Sequence, residues 1–322
     1  MHAIRVHQHG DPEVLKYDEM ETPKAGPGQA LVRVEAAGVN YTEIYSRRGG
    51  AAATVPYTPG GEAAGTVEAV GEGVTEVRPG DRVASNAFAG AYADYALAPA
   101  NRLVTLPPSM DMPHAAAALL QGMTAHYLSH STYPIKNGDS VLVHAAAGGT
   151  GLLLVQMAKM RGARVFGTVS TDEKAKLARE AGADELILYS KIDFAAELRR
   201  LTGGEGVNVV YDSVGKATWE GSLNSLRPRG MLVLFGNASG PVPPVDTSLL
   251  SGKGSLYLAR VSLGHHIATR ADLLERAGDV LNWTTSGRLK LRIGGSFPLA
   301  QASEAHRQLE GRSTTGKLVL IP

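Results

Sequence analysis

The chain has 322 residues, 43% hydrophobic and 20% charged, with 38 glycines and no cysteine. That composition describes a globular protein of about two domains, and the missing cysteines exclude disulfides, thiol catalysis and cysteine-bound zinc. A net charge of +1 lacks the basic excess of nucleic-acid binders, and no run approaches the roughly eighteen apolar residues of a membrane span. The opening Met1-His-Ala-Ile-Arg-Val6 reads as a strand and not as a secretory hydrophobic region, so a cytoplasmic protein is expected. From Met1 to about Met123, short β-prone runs at 30–35, 65–70 and 81–84 alternate with turns such as Pro79-Gly80-Asp81. This is the pattern of a β-rich, barrel-like domain. An Ala/Leu/Met-rich segment from Met112 to about Ser131 predicts a helix whose methionines belong to the core.

Residues 141–151, Val-Leu-Val-His-Ala-Ala-Ala-Gly-Gly-Thr-Gly, run from a buried-strand pattern into a turn of small residues, and a helix pattern follows over 152–162. Gly148, Gly149 and Gly151 have no Cβ, so the backbone around Thr150 can turn tightly and approach a bulky anion. The first amides of the following helix are unpaired, and its dipole favours negative charge there. Together these make a seat for a pyrophosphate where a dinucleotide fold places one. Taken alone, the segment also reads as a purely structural turn.

The next strand, 164–169, ends in Ser170-Thr171-Asp172-Glu173-Lys174. A unit that prefers the unphosphorylated cofactor usually places an acid at this strand end, about twenty residues after the glycines. Hydroxyls and a lysine suit a 2′-phosphate instead. Asp172 and Glu173 are equally well placed to start the helix over 173–181. The stretch favours NADPH over NADH, with Lys174 deciding; an ordinary solvated helix lysine is the other reading of that residue. Strands at 141–145, 164–169, 185–189, 207–212 and 231–236 alternate with helices, as a parallel doubly wound sheet requires. A helix over 270–284 and a strand over 316–321 then return the chain to its first domain. The expected division is 1–124 with 266–322, around 125–265. None of the ten histidines stands in a His-Glu-x-x-His spacing. His265-His266 reads as a loop or helix end facing solvent, so no metal is expected.

In order and spacing, a further set of segments runs almost end to end: Gly10-Asp-Pro-Glu-Val-Leu15, Ala37-Gly-Val-Asn40, Pro59-Gly-Gly-Glu-Ala-Ala-Gly65, Val77-Arg-Pro-Gly-Asp-Arg-Val83, Ala145-Ala-Ala-Gly-Gly-Thr-Gly151, Val209-Val-Tyr-Asp-Ser-Val-Gly215, Arg229-Gly-Met-Leu-Val-Leu-Phe-Gly-Asn-Ala-Ser-Gly240 and Thr315-Gly-Lys-Leu-Val-Leu-Ile-Pro322. With them the chain resembles the zinc-independent quinone oxidoreductases of the medium-chain dehydrogenase/reductase superfamily, the ζ-crystallin-like group. The resemblance implies an α/β protein with a GroES-like β-rich catalytic domain and a Rossmann NADP-binding domain. It also implies NADPH-dependent hydride transfer to a quinone. Zinc-dependent relatives place a cysteine near Asn40 and a histidine at Gly61. Without that Lewis acid, alcohol dehydrogenase chemistry is not expected. A quinone or activated enone needs no metal, because conjugation spreads the incoming negative charge. Reduction of activated C=C bonds in enones or alkenals is the alternative within the scaffold. A crystallin-like or RNA-binding role is the non-enzymatic alternative, and the near-neutral charge argues against RNA.

The same resemblance suggests roles for single residues. Asn40 would position nicotinamide or substrate, and Tyr45 would hydrogen-bond the acceptor oxygen; a packed tyrosine with a surface hydroxyl is the other reading of Tyr45. Tyr41 would wall the cleft, and Arg47 is read equally well as solvated. Thr124 would lie near the nicotinamide, and Gly148, Gly149, Thr150 and Gly151 against the pyrophosphate. Lys174 and Tyr189 would hold the 2′-phosphate with Ser170 or Thr171. Phe235, Gly236 and Asn237 would border the ligand at a strand end. Arg312 would reach the 2′-phosphate or close the cleft. Asp212 is read as structural, and with no general acid in view the proton is assigned to solvent. The small residues over 49–54 suggest an open cleft mouth. A homodimer is expected through the alternating strand at 254–260.

Overall fold

The computed structural model describes every residue except 51–53 and 312, so the Arg312 expectation, and the core of the 49–54 loop, lie outside the described residues. Antiparallel pairing dominates the first third of the chain. β1 (His2–Val6) and β2 (Leu15–Glu19) form a two-stranded ribbon. β3 (Gln29–Val39), α1 (Tyr41–Arg47), β4 (Ala63–Val70), β5 (Arg82–Ser85), β6 (Tyr95–Pro99) and β7 (Val104–Thr105) follow. α2 (Met112–Tyr127) continues into a π-helical turn, Leu128–Thr132. Next come β8 (Ser140–Val143), α3 (Gly149–Met160), β9 (Arg164–Val169), α4 (Asp172–Glu180), β10 (Glu185–Leu188), α5 (Phe194–Leu201), β11 (Val207–Asp212), α6 (Trp219–Asn224) and β12 (Leu226–Leu234). α7 (Ser248–Gly252), β13 (Tyr257–Arg260), α8 (Leu263–His266), α9 (Arg270–Thr285), β14 (Ile293–Pro298), α10 (Ala302–Glu310) and β15 (Lys317–Ile321) complete the chain.

These elements form two compact units, 1–121 with 269–322 and 122–268, and the division falls inside α2. In the first unit a seven-stranded sheet has the order β14-β15-β3-β4-β5-β7, with β6 also paired to β3. The last strand thus lies beside β3, Leu318 opposite Val39 and Leu320 opposite Ala37. Alternate residues of these strands enter one core, which holds Val32, Val67, Val83, Tyr92, Leu318 and Leu320.

In the second unit all six strands are parallel, in the order β10-β9-β8-β11-β12-β13. Counted along the chain this is 3-2-1-4-5-6, the doubly wound dinucleotide-binding order. Its strands are continuous apolar runs because helices cover both faces; Val141, Leu142 and Val143 are fully buried. The helices start where side chains cap them. Thr171 Oγ1 accepts from the Lys174 amide at 3.3 Å, and Asp193 Oδ1 from the Ala195 and Ala196 amides at 2.8 and 2.9 Å. Caps of this kind contribute about 1 kcal/mol each. Strand order reverses between β8 and β11, and a fold of this type binds ligands outside the carboxyl ends of the strands at that point. The edge strand β13 leaves Tyr257 and Leu258 exposed. Among the described residues, no helix is long and apolar enough to cross a membrane.

Candidate active site

The turn after β8 is built by backbone contacts. Ala145 takes a left-handed conformation, φ 51°, and its carbonyl accepts from the Gly148 amide at 2.9 Å. That carbonyl lies where a Cβ on Gly151 would be, at 2.2 Å, so the first turn of α3 can close against it only with glycine at 151. Gly148 is the N-cap of α3 and offers no side chain to its first amides. Gly148, Gly149 and Thr150 are half-buried, which leaves those donors directed at whatever anion approaches the strand end.

The next two strands end side by side. Leu188 is in register with Val169, the Tyr189 amide donates to Val169 O at 3.2 Å, and Ser190 Oγ donates to Ser170 O at 2.8 Å. Ser170, Thr171, Lys174 and Tyr189 therefore gather at one end of the sheet, with Tyr189 44% exposed and Lys174 half-buried. Of the two exposed acids here, Asp172 is paired with Lys191 at 3.0 Å, and Glu173 is hydrogen-bonded to Thr171. Beyond β12, the Phe235 amide donates to Asp212 O at 3.0 Å, and a Cβ on Gly236 would meet Ser213 O at 2.5 Å. With its amide oxygen turned towards Arg260, Asn237 accepts from Arg260 Nη2 at 3.0 Å and donates to Gly236 O at 2.8 Å. The structure thus brings together 148–151, 170–174, Tyr189 and 235–237 at the carboxyl ends of the parallel strands. Thr124 lies half-buried on α2.

Asp212 is fully buried and structural, as read from the sequence. Its Oδ1 accepts from the Val214 and Gly215 amides at 2.8 and 3.0 Å, and its Oδ2 from Thr218 Oγ1 and Ser222 Oγ, each at 2.8 Å. Because Ser222 donates to Asp212, His144 Nε2 donates to Ser222 at 2.9 Å and Nδ1 accepts from Thr168 Oγ1 at 2.8 Å. Burial holds the His144 pKa below its usual range against the opposing charge of Asp212.

The first unit contains a cavity of about 380 Å³, lined by Thr42, Glu43, Tyr57, Gly61, Glu62, Asn86 and neighbours. Glu43 stands in the first turn of α1. Its Oε2 accepts from the Asn40 amide at 3.0 Å and Thr42 Oγ1 at 3.1 Å, and its Oε1 from the Gly61 amide at 3.2 Å. Burial raises its pKa, while Lys317 and these hydrogen bonds pull the other way. Behind the wall, Lys317 Nζ lies 2.6 Å from Glu62 Oε2 and donates to Asn40 Oδ1. Asn40 Nδ2 donates to Glu62 Oε2 at 3.1 Å and to Gly38 O at 3.3 Å. Glu62 Oε1 accepts from the Leu120 amide at 2.7 Å. Both ends of the Asn40 amide are thus engaged inside the unit. Asn40 and Tyr45 do not line the cavity. Tyr45 is half-buried, its ring 6.1 Å from that of Tyr41, whose hydroxyl donates to Leu309 O at 3.1 Å.

One expectation is corrected. Arg47 is not solvated: it is fully buried, with Nη2 at 2.8 Å from both Glu310 oxygens, Nε on Gly10 O at 3.0 Å and Nη1 on His306 at 3.0 Å. The Glu310 carboxylate on α10 meets its buried charge. His265 and His266 end α8, and His265 is exposed as expected, while the half-buried His266 stacks on Tyr127, ring centres 4.2 Å apart. Glu43, Tyr57, Asn86 and Lys317 escaped the sequence reading. Only Glu43 carried a signal, three residues after Asn40 at the capping-box spacing. Among the described residues, no group of three His, Asp or Glu side chains is placed to hold a metal ion.

A β-rich unit interrupted by a doubly wound dinucleotide fold is the build of the medium-chain dehydrogenases and reductases. Residues 26–108 match the family model described as alcohol dehydrogenase GroES-like domain, and 149–277 the one described as zinc-binding dehydrogenase. The chain is 44% identical to a quinone oxidoreductase of Pseudomonas aeruginosa, over 99% of each protein. It is 42% identical to a 2-haloacrylate reductase of a Burkholderia species, over 99% of this chain and 98% of that one. The solved structure of Escherichia coli quinone oxidoreductase complexed with NADPH superposes with a TM-score of 0.98 at 41% identity, over the whole of both chains. The chain belongs to the zinc-independent quinone oxidoreductases of this superfamily.

Proposed function

We propose that the protein reduces quinones with NADPH by hydride transfer that requires no metal. The observation that carries the reading is the donor set at the ends of β9 and β10. Ser170, Thr171, Lys174 and Tyr189 gather there, and of the two exposed acids beside them Asp172 is already paired with Lys191. Such a set fits a 2′-phosphate better than a ribose 2′-hydroxyl. The turn at 148–151 fits a pyrophosphate, since a side chain at 151 would occupy the closure against Ala145. When bound, NADPH would supply a hydride from nicotinamide C4, which with a proton converts a quinone to a hydroquinone. Around it, Thr124 and 235–237 would border the nicotinamide end, and Arg312 would reach the nucleotide. Asn40 would act as a positioning residue through Glu62 and Lys317, and Tyr45 would meet the acceptor oxygen.

The likeness to a 2-haloacrylate reductase supports a second reading, reduction of an activated C=C bond. A homodimer through β13 and a cytoplasmic site of action belong to the same proposal. The exposed Tyr257 and Leu258 on an edge strand support the dimer.

Fluorescence titration with NADPH and NADH on the wild type and Lys174→Ala tests the cofactor assignment. Loss of a charge-assisted hydrogen bond of about 1.5–3 kcal/mol should weaken NADPH binding roughly 10- to 100-fold and leave NADH unchanged. An acceptor screen with a 1,4-quinone, an alkenal and 2-chloroacrylate then separates the two reactions. Equal affinity for both nucleotides in the wild type would sink the NADPH assignment.

A further inference from the structure

The cavity of the first unit carries two side-chain oxygens that the protein leaves without partners. Tyr57 Oη and Asn86 Oδ1 are both buried, neither has a hydrogen bond, and both residues line the cavity. Buried polar atoms are almost always paired, so two orphans on one cavity wall mark the complement of a ligand. Their chemistry states what that ligand offers. A tyrosine hydroxyl can donate to a carbonyl oxygen, whereas an amide oxygen only accepts and calls for an O–H or N–H.

Charge narrows the class further. Among the described residues, no lysine, arginine or histidine lines the cavity, and Glu43 and Glu62 both do. Lys317 already compensates Glu62 from behind the wall. Glu43 attracts no anion in either protonation state, and burial pushes its pKa up. A volume of about 380 Å³ falls within the range of small-molecule sites, roughly 300–1,000 Å³, and holds a single quinone ring with a short substituent.

We infer that this cavity selects the acceptor: Tyr57 Oη donates to a carbonyl oxygen and Asn86 Oδ1 accepts from a hydroxyl on a short side arm, so neutral hydroxyl-bearing quinones are preferred. The inference rests on the quinone reductase reading and adds to it a substrate class. Acceptors that carry a carboxylate, 2-haloacrylates among them, are disfavoured by the same wall.

The test compares NADPH-dependent reduction of 2-(hydroxymethyl)-1,4-benzoquinone, 2-methyl-1,4-benzoquinone and 1,4-benzoquinone-2-carboxylate by the full-length protein. The hydroxymethyl compound is expected to exceed the methyl compound in kcat/KM by about tenfold or more, and the carboxylate to fall below both. In Asn86→Ala the hydroxymethyl-to-methyl ratio should fall towards one, whereas Tyr57→Phe, which loses a donor to the carbonyl that both compounds share, should lower kcat/KM for both by a similar factor and leave the ratio in place. Two variants in different loops, each with its own expected readout, guard against a folding defect in either. A ratio near one in the wild type, a ratio kept in Asn86→Ala, or unchanged kcat/KM for both quinones in Tyr57→Phe would mean that only water meets these oxygens and would overturn the inference while leaving quinone reduction standing. Reduction of none of the three quinones, with NADPH still bound, would overturn the quinone reading and the inference with it.

Discussion

Lys317 and Glu62 are 255 residues apart in the chain and meet at 2.6 Å with side chains 2% and 1% exposed. A pair this deep adds little net stability compared with well-packed apolar residues, yet removing one partner strands the other charge. Lys317→Met should therefore cost about 3–5 kcal/mol. Adding Glu62→Gln to it should recover a large part of the loss. Urea denaturation of the two single variants and the double variant measures the cycle, and a single-variant loss below about 1 kcal/mol would contradict it.

Burial, with the Arg47 guanidinium adding to it, lowers the His306 pKa from near 6.5 to about 3. Arg47 can only donate, so His306 Nδ1 accepts from it and Nε2 carries the proton towards Tyr92 Oη at 3.1 Å. The folded state thus holds this imidazole neutral while the unfolded chain protonates it below pH about 6.5. Its contribution is complete above that value and is lost as pH falls towards 3. Between pH 6 and 5 the wild type should lose about 1 kcal/mol per pH unit that His306→Gln does not. The comparison is of slopes, so the hydrogen bonds lost in the variant do not confound it. Parallel slopes would refute the assignment.

Gly151→Ala places a methyl 2.2 Å from Ala145 O, and Gly236→Ala places one 2.5 Å from Ser213 O. In both cases backbone must move at the strand ends. Each variant should bind NADPH at least tenfold more weakly by fluorescence titration, with the Tm lowered by only a few degrees. Wild-type affinity in Gly151→Ala would show that the turn does not hold the nucleotide.

On β13, Tyr257 is 56% and Leu258 36% exposed, an apolar pair on an open sheet edge. Sedimentation at micromolar concentration should find a dimer for the wild type and a monomer for Leu258→Lys. A monomeric wild type would remove β13 as an interface.

The nucleotide unit was far more legible in the sequence than the cavity. Parallel strands buried on both faces write themselves as unbroken apolar runs, and β9 and β11 fall at the residues the pattern assigns. β12 starts at Leu226, five residues before the expected Met231, because a register shift against β11 absorbs the Pro228-Arg229-Gly230 turn signal. Long-range charge pairing leaves no local trace. Lys317 and Arg47 look like ordinary surface cations until β15 and α10 are placed beside their partners. The wall residues Tyr57 and Asn86 belong to loops, where neither periodicity nor capping points inward. The resemblance directed attention to Asn40 and Tyr45, on a helix whose first turn contributes Thr42 and Glu43 to the wall instead.

The sheet order β14-β15-β3 has a consequence for synthesis. β3 leaves the ribosome early, but the strand that covers its edge is β15, made after the whole nucleotide unit. Until then Glu62 has no lysine to meet it and the apolar face around Val39 lacks Leu318 and Leu320. The inserted nucleotide unit, with its strands contiguous in the chain, can fold on the nascent chain first, while the unit that begins the chain closes last. Slowed translation or premature termination over the final strand would therefore leave a nucleotide-competent half attached to an open, aggregation-prone β-sheet.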